Sequence, residues 1–501
     1  MEEERSVRYK LTKQPLASER EEIRTKKQRR NVLIVTVIVF LLLGFIGGYL
    51  AGLTHNKVGL LIGNEEENID LKSQIITDYF NDYWLYGDEY EDLNQTLSDQ
   101  AFHGMAKFED DPYTTYQSNQ EMNDFASAIN MNFVGIGVSY TMNDDMPTIT
   151  RVFKDAPADK AGLLAGDVIE TVDGTDVKGK TTAEVKDLVV GEEGSLVKVG
   201  VSRQGQSLVF DIYRGPVDST VYGYTYEGIP VLNILSFGEN TAHECVKYLD
   251  EFSDSERLII DLRDNSGGYQ TAVEDIASLF LEEDSIVMRV VDKHEDEIVS
   301  YVKDNKYYDN FKEIAILING NTASAAEVLT TALVEQHANA YTVGETSYGK
   351  GVVQSSIQLF DGSAIKMTTS KWLTPNGLWI NGIGIKPDYE ILRHEAFYET
   401  YWPMEEDETY DIDSVSEYVH LASLGLDYLG YDVDRVDGYF DESIANALVN
   451  FQNKHALEAN GVLDKTTYQA IISSIMKDYA TNIENDVQFQ KAVELISEEN
   501  K

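Results

Sequence analysis

A single cysteine, Cys245, is the only thiol in 501 residues, so no internal disulfide can form in any compartment. With apolar neighbours such as Val246 and Leu249 it reads as a small core residue, and stability has to come from packing. Basic residues are also scarce: 41 Lys and Arg face 86 Asp and Glu, a formal charge of −45. A surface of that sign repels phosphate backbones and excludes a nucleic acid partner. Histidine is limited to eight residues, without metal-ligand spacing or a local pattern that would select a Ser-His-Asp triad, and no G-x-S-x-G elbow occurs. No metal or cofactor is expected.

The hydrophobic fraction of 43% is ordinary for a folded chain, and the length calls for several domains. One uncharged run stands out, VLIVTVIVFLLLGFIGGYLAGL at 32–53. As a helix its 22 residues reach about 33 Å, the thickness of a bilayer's hydrocarbon core. Residues 1–30 hold ten Lys and Arg against six Glu, and Arg24, Lys26, Lys27, Arg29 and Arg30 crowd the amino end of the run. The expectation is a cytoplasmic basic tail (1–30), a single transmembrane helix (31–53) that anchors the chain in the cell membrane, and everything beyond it outside the cell. A cleaved signal peptide is the competing reading, but the run is long for one and Ala51-Gly52-Leu53 is a poor cleavage site.

The exported part divides by pattern. Ile69, Leu71, Ile75, Ile76, Tyr79 and Phe80 recur at helical spacing, which gives a linker and helical region over 54–130, with dimerisation as one possible use. Short β-rich runs separated by Gly, Asp and Asn turns then form a compact module over 131–215. Within it AGLLAGDVIETVDGTDV at 161–177 resembles the loop, strand and turn of a PDZ domain. GIGV, comprising Gly135, Ile136, Gly137 and Val138, resembles that domain's carboxylate-binding loop. Glycines let backbone amides converge on a peptide carboxylate, and a strand edge accepts the peptide as one more strand.

Over 216–400, buried-looking strands (PVLNILSF, RLIIDLRD, EIAILING, AYTVGE) alternate with helical stretches, the pattern of an α/β layer with parallel strands. An acidic linker is expected at 401–412. Two units 23 residues apart, DGYFDESIANAL and NGVLDKTTYQAI, repeat a turn and capped helix within 413–476, and this segment resembles a peptidoglycan-binding helical domain. A charged amphipathic tail helix fills 477–501. The fold class is therefore multidomain α/β and α+β.

The chemistry concentrates in two stretches. In NGNTASAAEVLTTAL at 319–333 a β-rich run stops and a helix begins near Ser324. Ser-Ala-Ala-Glu is a capping box, so Ser324 by itself reads as an N-cap paired with Glu327. It also reads as a nucleophile whose oxyanion would face helix amides, provided a base exists. His337 lies on the same helix several turns away and is structural. Lys350, between glycines in GETSYGKGVVQ, is the better base, but only if burial brings its pKa down from about 10.4 so that it can be neutral. Gln354, four residues on, can orient the amine through its amide oxygen. Asp261, Arg263 and Asp264 at a strand end read as salt-bridged scaffolding.

TASAAE at 322–327 and GKGVVQ at 349–354 resemble the paired signatures of the carboxyl-terminal processing, or tail-specific, serine proteases. LIIDLRDNSGG at 258–268, WLTPNGLWINGIGIKPD at 372–388 and DDPYTTY at 110–116 are similar to further family segments, in the family's order. Two departures are visible: the serine-rich cluster is reduced to Ser324, and the interval to Lys350 is one residue longer, which the HANAY turn has to absorb. The resemblance implies Ser324 as nucleophile, Lys350 as general base and Gln354 as its orienter. It also implies an oxyanion hole from Gly267 or Gly268 with the amide of Ala325. An endopeptidase that takes C-terminal tails of exported proteins is the expectation; a non-catalytic wall-bound PDZ scaffold is the alternative.

Overall fold

The computed structural model describes residues 69–497, apart from 132, 144, 145, 154, 155, 204, 205, 218, 304, 305, 403 and 406. The candidate membrane span at 31–53 lies outside the described residues, among which no helix is long and apolar enough to cross a membrane. A first compact unit ends at Asn94 and a second begins at Gln95. The first holds helix α1 (Ile69–Tyr83), whose Ile76, Tyr79 and Tyr83 are exposed. Next come α2 (Leu93–Met105), strand β1 (Thr115–Gln117) and α3 (Asn119–Ile129). A reciprocal Ser118–Glu121 capping box starts α3.

The β module comprises β2 (Phe133–Gly135), β3 (Val138–Asn143), β4 (Met146–Val152), α4 (Pro157–Ala161), β5 (Val168–Val172), β6 (Thr175–Asp176), α5 (Thr182–Val189), β7 (Leu196–Arg203), β8 (Gln206–Tyr213) and β9 (Gly215–Val217). Its antiparallel sheet runs β3-β4-β5-β7-β8, with β6 on β5, while β2 pairs with β9. Period-two alternation buries Val197, Val199 and Val201 completely against Ile149, Ile169 and Val185. The β5–β6 hairpin turns at Asp173-Gly174, both with positive φ, as a two-residue primed turn requires. Strand β3 is a sheet edge, and Tyr140 on it donates its hydroxyl to the Thr182 carbonyl of α5 at 2.8 Å.

The α/β core contains β10 (Val221–Tyr226), β11 (Ile229–Ile234), α6 (Thr241–Glu251), β12 (Arg257–Asp261), α7 (Gln270–Ala277), β13 (Ile286–Asp292), β14 (Glu297–Tyr301), β15 (Glu313–Ile318), α8 (Ala325–Gln336), β16 (Ala340–Gly344), β17 (Val352–Gln358), β18 (Ala364–Leu373) and β19 (Tyr389–Glu390). One sheet runs β10-β11-β12-β15-β16-β19 and is parallel from β11 onward. Its central strands are near-continuous apolar runs, with Leu258, Ile259, Ile260 and every residue from Ile314 to Ile318 buried, because both faces are covered. Helices α6, α7 and α8 cover one face, and Cys245 is buried there as a core residue. A second, antiparallel sheet runs β1-β18-β13-β14, with β17 on the other side of β18.

The remaining helices are α9 (Glu417–Tyr428), α10 (Glu442–Lys454), α11 (Lys465–Thr481) and α12 (Val487–Ser497). Asp441 and Asp464, the repeated aspartates, cap α10 and α11 through Ile444 and Thr467 amides. Two segments gain a place in the fold that the sequence reading did not give them. The stretch expected to be an acidic linker is packed: Tyr401 and Met404 are buried in the helical domain's core, and β20 (Thr409–Tyr410) pairs with β21 (Leu463–Asp464). The tail helix α12, moreover, lays Phe489, Ala492, Val493 and Ile496 over Ile259, Ala315 and Leu317, and so covers the second face of the parallel sheet.

Candidate active site

Strand β15 ends at Ile318, and six residues later the chain enters α8 through Ser324, whose φ of 56° and ψ of −117° are strained for a side-chain-bearing residue. A strand, a tight strained turn and a helix form the geometry that exposes a nucleophile. Alanines 323 and 325 stand where small flanking residues are needed, so the elbow arises without its usual glycine motif. The Ser324 amide donates to Glu327 Oε2 at 2.8 Å.

That glutamate does more than cap a helix. Glu327 is fully buried and also accepts the Ser347 hydroxyl and the Gly349 amide on Oε1, both at 2.6 Å, and the Lys350 amide on Oε2 at 2.9 Å. One carboxylate therefore ties the backbone of Ser324 to that of Lys350. The Lys350 carbonyl accepts the indole N–H of Trp372 at 2.7 Å, which fixes the other side of the residue.

A second clamp holds the glycine loop after β12. The Asn265 side chain is buried; it donates to the Ile234 carbonyl at 2.7 Å and accepts the Gly267 amide at 2.8 Å, while the main-chain carbonyl of Asn265 accepts the Ala323 amide at 2.9 Å. Gly267 has a φ of +101°, and a Cβ there would stand 2.9 Å from the Ala325 nitrogen and the Ser324 Cβ. At Gly268 a Cβ would meet the Phe237 carbonyl oxygen at 2.3 Å. Only glycine lets this loop approach the serine turn so closely.

These elements enclose a cavity of about 810 Å³. Ser324, Lys350, Gln354, Gly267, Gly268 and Ala325 all line it. Gln354 donates weakly to the Thr368 hydroxyl at 3.5 Å, which in turn donates to Asp111 Oδ1 at 3.0 Å. Lys350 is largely buried, with Nζ 4.8 Å from the centre of the Tyr113 ring. Burial first, then the neighbouring Lys366 ammonium, bring its pKa down to about 8, against a smaller pull upward from Glu327. The Tyr113 hydroxyl is pushed up to about 12 by burial and by Tyr348, so it stays protonated beside the amine.

Other expected residues have structural places. Arg263 is buried in a bidentate pair with Asp261 (2.8 and 3.0 Å) and also meets Asp486 at 2.8 Å, joining the loop to the segment before α12. Asp264 is held below the ordinary carboxylate range: burial opposes this, but amide donors from Asn321 and Asn319 prevail. His337 ends α8, its ring nitrogen 3.1 Å from the Phe311 carbonyl oxygen. Gly135, Ile136, Gly137 and Val138 join β2 to the edge strand β3, with the Ile136 carbonyl accepting the Ala158 amide at 2.7 Å. Sequence reading missed Tyr113 and Lys366 at the cavity, and Asn265 and Thr368 behind the glycine loop and Gln354. Glu327 was visible only as half of a capping box, although a carboxylate inside the apolar run AAEVLTTAL was a signal that it needs buried partners.

The family model for peptidase family S41 matches residues 228–391, that for the PDZ domain 134–213, and that for the peptidoglycan binding domain 416–471. Carboxy-terminal processing protease CtpB of Bacillus subtilis is 33% identical over 428 residues, covering 82% of this chain and 87% of that one. A "Probable CtpA-like serine protease" of Staphylococcus haemolyticus is 33% identical over 440 residues, 87% of each. Among solved structures, the photosystem II D1 C-terminal processing protease is 26% identical with a TM-score of 0.42, over 64% of this chain and 92% of that one. With a PDZ domain before the peptidase domain in sequence and a peptidoglycan-binding domain after it, the chain belongs to peptidase family S41, the carboxy-terminal processing serine proteases.

Proposed function

We propose that the chain is a membrane-anchored endopeptidase, active outside the cell, that cuts exported proteins at a Ser324–Lys350 dyad. The observation that carries this reading is the convergence on one cavity of a strained serine at a helix N-terminus and a desolvated lysine, their backbones tied by Glu327. Neutral Lys350 takes the proton of Ser324 Oγ as that oxygen attacks the scissile carbonyl carbon. The tetrahedral intermediate collapses when the ammonium returns the proton to the leaving amine, giving an acyl-enzyme. Lys350 then deprotonates a water that releases the new C terminus.

The Gly267 amide is committed to Asn265, which favours Gly268 and Ala325 as donors to the oxyanion. Committing the Gln354 amide nitrogen to Thr368 leaves its oxygen as an acceptor for Lys350. Substrate tails add to the edge of β3, with their carboxylate at residues 135–138. The span at 31–53 anchors the chain in the membrane, the repeat domain holds peptidoglycan, and the exposed apolar residues of α1 support a homodimer. The test compares wild type with Ser324→Ala and Lys350→Ala on an unfolded protein substrate. Loss of cleavage in both variants is expected; equal cleavage by all three overturns the dyad, and no cleavage by wild type favours the scaffold reading.

A further inference from the structure

Lys366 lines the same cavity, and beyond lowering the Lys350 pKa it has no role so far. It lies on β18, opposite Ser356 of β17 on one side and Thr115 of β1 on the other. Strand alternation puts Gln354 and Ser356 on one face of β17, and both line the cavity with Lys366. The register is therefore what brings this side chain to the dyad. Its Nζ stands 4.1 Å from the centre of the Phe125 ring, a contact that holds the ammonium in place without neutralising it.

Among the described residues no carboxylate lies within ion-pair distance of Lys366, although the chain has 86 acidic residues against 41 basic ones. A half-buried ammonium without a counter-ion is costly, and burial depresses its pKa. The contact with Phe125 and the repulsion that lowers the Lys350 pKa both use this charge, yet neither supplies it with an anion. The other acids and bases facing the cavity are Asp264, which Asn319 and Asn321 occupy, the tyrosines, and Lys350, which Lys366 repels.

We propose that Lys366 is a specificity-determining residue that pairs with a carboxylate of the bound peptide. This rests on the endopeptidase reading above. Either an Asp or Glu side chain beside the scissile bond or the α-carboxylate of a short tail supplies the anion. Pairing would satisfy the desolvated ammonium inside the cleft with a charge-assisted hydrogen bond, which corresponds to about tenfold or more in kcat/KM.

Matched peptides test it: one series exchanges Glu for Gln at each position flanking the cut, and the other pairs a free C terminus with its amide. Wild type is expected to prefer the charged member of at least one series by about tenfold or more, and the series identifies the source. In Lys366→Met and Lys366→Gln the ratio should fall close to one whatever the absolute rate, in Lys366→Arg it should persist, and Lys366→Glu should favour a Lys-containing peptide instead. Wild type cleaving every pair equally, or Lys366→Met keeping the ratio, overturns the proposal. Wild type cleaving neither these peptides nor the unfolded protein overturns the endopeptidase reading instead.

Discussion

Replacing Lys350 by methionine should abolish cleavage and at the same time make the protein more stable. An ordinary lysine titrates near 10.5, and in the cavity the value is about 8, because burial and Lys366 disfavour the ammonium. The folded state thus binds fewer protons than the unfolded chain between pH 8 and pH 10.5. Stability rises with pH across that window, and the penalty is complete below it. At about 1.4 kcal/mol per pKa unit the displacement corresponds to about 3 kcal/mol, and partial solvent access reduces this to about 2 kcal/mol. Methionine keeps the apolar stem and removes the charge. Lys350→Met should therefore melt about 5 °C higher than wild type at pH 7 and at the same temperature at pH 11.

Catalysis gives the other half of the test. With a pKa of about 8, roughly a tenth of Lys350 is neutral at pH 7, against about one part in 3,000 for an unperturbed lysine. Wild-type kcat/KM should climb about tenfold per pH unit below pH 8 and level off above it. Differential scanning fluorimetry from pH 6 to 11, with initial rates over the same range, measures both. A Lys350→Met variant no more stable than wild type at pH 7, or an advantage that persists unchanged at pH 11, would refute the argument from desolvation.

Three further outcomes follow from other contacts. Glu327→Gln replaces an acceptor of four hydrogen bonds with a group that offers one oxygen and brings donors of its own, so a loss of about 3 kcal/mol in chemical denaturation and of most activity is expected. Ser324→Gly removes the backbone strain at φ 56° and should be inactive yet about 1 kcal/mol more stable, whereas Ser324→Ala, inactive too, should not gain. Phe489→Ala opens the layer beneath Ile259 and Leu317 and should cost about 3 kcal/mol by urea denaturation, with proteolysis reporting release of α12.

What could be read from the sequence was whatever is local in the chain. The apolar strands RLIID and EIAILI, the Asp-Gly turn at 173–174 and the capping aspartates of the helical repeats announce themselves through neighbours a few residues away. Ser324, Lys350 and Gln354 were named from short motifs, and all three line one cavity. Their electrostatic setting was not legible, because it comes from distant segments: Tyr113 from the stretch before the β module, Lys366 from a strand that register alone brings to Lys350. Nothing near Asn265 in sequence marks its hydrogen bonds to the end of β11, to the glycine loop and to the serine turn. The tail helix was seen as amphipathic, but which sheet it covers depends on a face that only the assembled strands create.

That helix also bears on timing. Phe489 comes 165 residues after Ser324, and Asp486 and Gln488, which complete the polar network around Arg263, are equally late. A chain emerging N-terminus first presents Ser324 long before the last layer over its central strands exists. Completion of the α/β core is thereby tied to completion of the chain, and a polypeptide released before its last helix carries its serine turn on a sheet with one face uncovered.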